Sequence, residues 1–100
     1  MKYTDLTSVR HQLDQIDSQI LALIAQRCEL MKEIAAIKKQ QQLAIRDSNR
    51  EDALLAKLGQ LAIHHQVNPL FIQQIFTLII EESVQLQQDL LQVNTESSHC

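Results

Sequence analysis

Apolar residues recur at every third or fourth position along the first part of the chain, which is the spacing of one helix face. The members of this seam are Leu6, Val9, Leu13, Ile16, Ile20, Leu23, Leu30, Ile34 and Ile37. Its only gap is at Arg27, and no glycine or proline interrupts it before the run Gln40 to Gln42. Asp5 and Thr7 are both suitable N-caps. The seam predicts one coiled-coil-like helix of about 35 residues, roughly 50 Å long.

This predicted helix is too long for a compact monomer. A globular chain of 100 residues has a radius of gyration of roughly 13 Å, so the helix extends beyond any core that one chain can build. The seam nevertheless stays apolar to its end. A second copy of the chain is the simplest partner that covers it, and the sequence therefore predicts a homodimer.

Two shorter helices are predicted in the rest of the chain. The second starts in "RDSNREDALLAKL", where Ser48 and Glu51 form an S-x-x-E capping box and Asp47 is a competing cap. The third starts at Asn68, which precedes a proline. The expected buried face of the second helix is Leu54, Leu55, Leu58, Leu61 and Ala62.

The composition favours an all-α fold. Gly59 and Pro69 are the only glycine and proline, whereas sheets need turn residues between strands. We expect three helices in one domain over residues 1–93. The polar segment 94–100, "NTESSHC", is expected to be a disordered tail.

Several classes of partner and location are disfavoured. The net charge of −3 gives no basic footprint for nucleic acid, and no apolar run is long enough to span a membrane. The start "MKYTDLTSVR" has no hydrophobic signal core, and Cys28 and Cys100 form no disulfide framework. His64 and His65 are adjacent, so on a helix they point about 100° apart and make a poor metal pair. We expect a cytoplasmic protein without a metal site.

Polar residues interrupt the apolar faces of all three helices. Arg27 lies in the seam, and Lys38 lies eleven residues later, turned only about 20° further round the helix. An arginine buried without a partner is costly, so it needs an anion, although a structural ion pair or a snorkelling side chain also explains it. Arg50 precedes the apolar line of the second helix, and Ser83 and Gln87 continue that of the third. Together they predict a polar ligand site inside a helical bundle.

Arg10 differs from these residues in its position. It lies seventeen residues before Arg27, which is about 25 Å along the helix and about 100° round it. It cannot easily reach a pocket centred between Arg27 and Lys38 of its own chain. In an antiparallel dimer it could serve the pocket of the partner, and a surface arginine is the alternative.

In this order the polar residues resemble the all-helical (AroQ-class) chorismate mutases. The matching positions are Arg10, Arg27, Lys38, Asp47, Arg50, Glu51, Ser83 and Gln87, and the resemblance extends from about Leu6 to Leu91. It is closest to the mutase domain at the front of bifunctional chorismate mutase–prephenate dehydratases. The polar tail departs from that pattern, as does the length, which holds no dehydratase or regulatory domain.

The resemblance implies an intertwined homodimer with two sites, which rearranges chorismate to prephenate without a cofactor. Arg27 and Arg10 of the partner would grip the two carboxylates, and Ser83 would hydrogen-bond one of them. Lys38 and Gln87 would donate to the ether oxygen. Glu51 would accept from the ring hydroxyl, which Asp47 would support, and Arg50 would orient the acidic residues.

Two other functions stay open. An isochorismate–pyruvate lyase would share the fold and the arginine–lysine pocket, although Asp47 and Glu51 favour the mutase. A non-catalytic helical dimerisation module would explain the long seam equally well. It would not explain why polar side chains interrupt apolar faces on three helices.

Overall fold

The computed structural model describes residues 5–92, and these residues form three helices and no strand. They are α1 (Leu6–Gln41), α2 (Ser48–His64) and α3 (Pro69–Gln92). The predicted all-α class with one long and two shorter helices is confirmed. The predicted domain end at 93 and the tail 94–100 lie outside the described residues.

Short polar side chains define where each helix begins. Asp5 caps α1 by accepting a hydrogen bond from the Ser8 amide at 2.7 Å, so of the two candidate caps Asp5 is used. Asp47 is the N-cap of α2, because its carboxylate accepts a hydrogen bond from the Arg50 amide at 3.0 Å. Of the two predicted alternatives, Asp47 and the capping box of Ser48 and Glu51, the structure therefore uses Asp47. Asn68 accepts from the Leu70 amide at 2.9 Å at the start of α3.

The core lies where α3 packs against both other helices. Its buried apolar side chains are Ala35, Ala62, Ile80, Val84 and Leu86. Gly59 is buried where α2 meets α3, and a Cβ there would lie 2.8 Å from the Gln73 side-chain nitrogen. That nitrogen donates to the Leu55 carbonyl at 3.1 Å, so the glycine allows a close helix contact.

One chain leaves most of the α1 seam uncovered. Of its nine members only Ile34 is half-buried, and the other eight are exposed. The described residues extend over 55 Å with a radius of gyration of 17.1 Å, well above the roughly 13 Å of a compact chain of this size. The predicted overhang of the long helix is therefore present, and its apolar face needs a cover.

The predicted buried face of α2 is only partly correct. Ala62 is buried, and Leu54, Leu55 and Leu58 are half-buried. Leu61 is 42% exposed, so its prediction was wrong for the single chain. It lies about 100° round the helix from Ala62, and only one side of α2 faces α3.

None of the helices within residues 5–92 carries an apolar stretch long enough to cross a lipid bilayer.

Candidate active site

A cavity of about 300 Å³ opens where the three helices meet, and seven of the eight predicted site residues line it. α1 contributes Arg27 and Lys38, and α3 contributes Ser83 and Gln87. The start of α2 contributes its N-cap and first turn, which are Asp47, Arg50 and Glu51. The remaining wall is apolar and consists of Met31, Ile34, Ile45, Leu54, Ile80 and Val84.

Arg27 is anchored by α3. Its Nη1 donates a hydrogen bond to the Oγ of Ser83, which is 9% exposed and itself donates to the Ile79 carbonyl at 2.9 Å. Desolvation by burial lowers the pKa of Arg27, and the nearby charge of Arg50 lowers it further. A guanidinium has five N–H donors, and this one gives one of them to Ser83. Arg27 therefore has further N–H donors and a positive charge with which it can bind an anion.

Lys38 and Gln87 form a second polar pair across α1 and α3. The Lys38 Nζ donates to the Ile45 carbonyl and, at 3.0 Å, to the Gln87 Oε1. Gln87 is 5% exposed, and its Nε2 has the weakly accepting sulfur of Met31 at 3.8 Å. An ammonium has three N–H donors, so one remains on Lys38. The pair can thus offer donors from both members to a single ligand atom.

The acidic end of the cavity is held by an arginine outside it. The Nε and Nη2 of Arg46 donate to the Glu51 carboxylate, with the shortest distance 3.0 Å. The same guanidinium binds Glu81 on α3. These hydrogen bonds lower the pKa of the Glu81 carboxyl and raise that of Arg46.

Arg10 lies apart from this cavity. It is exposed on the N-terminal half of α1 and does not line the cavity of its own chain. The seventeen-residue separation from Arg27 predicted this, since it amounts to about 25 Å of helix. Of the eight candidate residues, Arg10 is the one that a single chain leaves outside the site.

The charges of the cavity favour a small anion with an apolar body. Arg27, Lys38 and Arg50 face two carboxylates, and one of these, Glu51, is already paired with Arg46. No carboxylate of residues 5–92 forms an ion pair with any of the three cations. Arg27 and Lys38 are half-buried, and partial removal of their charges from water is costly unless an anion balances them. The site is therefore built to receive negative charge.

Comparison with known proteins identifies the family. A family model described as chorismate mutase type II matches residues 9–88. The chain belongs to the type II chorismate mutases. It is 42% identical over 87 residues to a bifunctional chorismate mutase/prephenate dehydratase of Buchnera aphidicola subsp. Schizaphis graminum, and 39% identical over 87 residues to that of Escherichia coli K12.

The two bifunctional relatives are several times longer than the chain, whereas a third relative is of similar length. The matches cover 87% of the chain but only 23% and 22% of the two bifunctional proteins. A chorismate mutase of Methanocaldococcus jannaschii is 36% identical over 87 residues, which cover 87% of the chain and 88% of that relative. The resemblance found in the sequence is thus confirmed at the level of the type II family.

Arg46 is a candidate functional residue that sequence reasoning missed. It lies in the segment between α1 and α2, where no helical period assigns it to a face. Its partner Glu81 is 35 residues away on another helix. The role of orienting acidic residues was expected of Arg50, whereas in the structure Arg46 holds Glu51. Its spacing of five residues from Glu51 was the one available signal, and it is weak.

Proposed function

We propose that this chain is a cytoplasmic chorismate mutase, which rearranges chorismate to prephenate on the route to phenylalanine and tyrosine. The observation that carries this proposal is a cavity in which Arg27, Lys38 and Gln87 together offer hydrogen-bond donors between apolar walls. Membership of the type II family and the relative named chorismate mutase, which the chain nearly spans, support it.

The reaction determines what the site must supply. Chorismate is a cyclic dicarboxylate with a ring hydroxyl and an enolpyruvyl ether. In the rearrangement the ether C–O bond breaks while a C–C bond forms within the same molecule, so no group leaves and no nucleophile or cofactor is needed. The protein can accelerate it by holding a reactive conformer and by stabilising charge on the ether oxygen.

Arginine forks match the two carboxylates of this substrate. Arg27 binds one carboxylate together with the Ser83 hydroxyl, which already contacts its guanidinium. Arg10 of the second copy binds the other carboxylate. This pair folds the enolpyruvyl arm over the ring and brings the reacting carbons together.

Lys38 and Gln87 act on the ether oxygen. As the C–O bond breaks, this oxygen gains negative charge, and the Lys38 ammonium donates to it from one side. The Gln87 amide donates from the other side, and the 3.0 Å contact between the Lys38 Nζ and the Gln87 Oε1 supports this shared role. Glu51 accepts a hydrogen bond from the ring hydroxyl, and Asp47 supports the same hydroxyl. Arg50 orients these two acidic residues.

A homodimer completes the proposed site. The exposed seam of α1 and the 55 Å length of the chain support a second copy that covers the seam. Such a copy, packed in the opposite direction, brings its own Arg10 to the cavity that lacks one. The two chains then intertwine and share two equal sites.

Mixing two inactive variants should restore activity if the sites are shared. Arg10→Ala and Arg27→Ala each damage both sites of their own dimer. After subunit exchange half of the dimers are mixed and each holds one intact site, so about a quarter of the wild-type specific activity should return. Turnover of the exchanged mixture is compared with that of the unmixed variants. No recovery would mean that each site is built from one chain.

Gln87→Glu should make the reaction depend on acid. A glutamine amide donates at any pH, whereas a glutamate must be protonated to donate, and its usual pKa is about 4.3. We expect this variant to approach wild-type kcat in acid and to lose activity as the pH rises. The profile of kcat against pH for both proteins tests this, and full activity of the variant at pH 8 would contradict the assigned role.

The decisive experiment assays the purified chain on two substrates. Loss of chorismate with formation of prephenate is the expected reaction. Release of pyruvate from isochorismate at a higher kcat/KM would replace the mutase by the lyase, and turnover of neither substrate would favour a non-catalytic module. Mass in solution, measured on the same sample, tests the dimer.

A further inference from the structure

Arg46 joins three parts of the molecule through one guanidinium. It is the residue before Asp47, so it ends the segment that leads into α2. Its Nε lies 3.3 and 3.2 Å from the two oxygens of Glu51, and its Nη2 lies 3.0 Å from the Oε1. Its Nη1 lies 3.3 Å from the Oε1 of Glu81, and its Nη2 also donates to Glu81. The guanidinium thus ties the start of α2 to α3.

The position of Glu51 explains why such a connection matters. Glu51 lines the same cavity as Lys38 and Arg50, and neither cation has an ion pair within residues 5–92. A carboxylate on a flexible stem would turn towards these charges if nothing else held it. Arg46 does not line that cavity and therefore holds the carboxylate from outside.

We propose that Arg46 is a positioning residue, whose fork restrains Glu51 and thereby leaves Lys38 and Arg50 available to an anionic substrate. This inference rests on the proposed function. Each carboxylate oxygen of Glu51 has two lone pairs, so the contacts with Arg46 still leave a lone pair for a substrate hydroxyl. Glu81 is the second anchor, which fixes the guanidinium from the side of α3.

Arg46→Gln is the first variant to measure, with chorismate as substrate. The released Glu51 competes with the substrate for the cavity cations, so KM should rise about tenfold, which is the effect of one charge-assisted hydrogen bond. The value of kcat should stay within about threefold.

Two further variants serve as comparisons. Arg46→Lys keeps the charge but loses the fork and should restore part of the affinity. Glu81→Gln should raise KM less than Arg46→Gln does. Because exposed ion pairs contribute little to stability, the melting temperature should move by only a few degrees.

A double-mutant comparison separates this role from a structural one. In a Glu51→Gln background there is no carboxylate to release, so adding Arg46→Gln should change KM less than about twofold. A tenfold effect that persists in that background, an unchanged KM in the single variant, or a loss of folding in Arg46→Gln would each overturn the inference. Wild-type protein that fails to convert chorismate would instead overturn the proposed function, and this inference with it.

Discussion

Lys38→Ala is expected to lower kcat for chorismate by at least about a thousandfold. Removal of one neutral preorganised donor costs about a hundred- to a thousandfold in rate, and Lys38 contributes a full positive charge in a partly buried cavity. The charge acts where the ether oxygen becomes negative, so the loss should appear in kcat more than in KM. Steady-state kinetics with the folded variant measures this.

Lys39→Ala is the matched control for this prediction. Lys39 is the next residue of α1, is exposed and does not line the cavity, so the substitution removes the same charge from the same part of the helix. Its kcat should stay within about twofold of the wild type, because a solvated charge at the surface is strongly screened. A Lys38→Ala variant as active as Lys39→Ala would remove Lys38 from the mechanism.

Arg27→Leu is expected to lower kcat/KM strongly without weakening the fold. Truncating a buried hydrogen-bonded charge partner costs about 2–5 kcal/mol in binding, so kcat/KM should fall by roughly two to three powers of ten or more. Stability should stay equal or rise, because the lowered pKa of Arg27 shows that burial and Arg50 disfavour its charge in the folded state. Ser83 keeps its hydrogen bond to the Ile79 carbonyl at 2.9 Å after the change.

Steady-state kinetics and the melting temperature of Arg27→Leu, measured on the same preparation, test both expectations, which are a lower kcat/KM and an equal or higher stability. Lys57→Leu is a suitable control, since Lys57 is exposed on α2 away from the cavity and the change removes one charge. It should leave kcat/KM unaltered. An Arg27→Leu variant that retained wild-type turnover would indicate that the arginine is a structural element of a helical scaffold.

The three helices were predictable because their signals are local. A period of three to four residues, caps such as Asp5 and Asn68, and the proline at 69 each act over one or two turns. The choice between Asp47 and Ser48 as the cap of α2 could not be made, since both side chains suit the role and lie one residue apart. The exposure of Leu61 was missed because it depends on where α2 and α3 touch, which no pattern within α2 encodes.

The cavity was predictable to the extent that its polar residues interrupt apolar faces. Arg27, Ser83 and Gln87 could be recognised because each occupies a position that the helical period reserves for the core. Arg46 could not, since it lies between helices and pairs with Glu81 through the tertiary fold. A residue outside any regular period gives no sign of the face it will meet.

α3 supplies core and cavity from the same two turns. Ile80, Val84 and Leu86 are buried, and the polar residues Ser83 and Gln87 lie among and directly after them on the same helix. Each residue added to this helix would rotate everything after it by about 100°. An insertion between Pro69 and Ile80 would therefore exchange polar for apolar side chains at both surfaces at once. The core and the cavity therefore constrain the length of this stretch together.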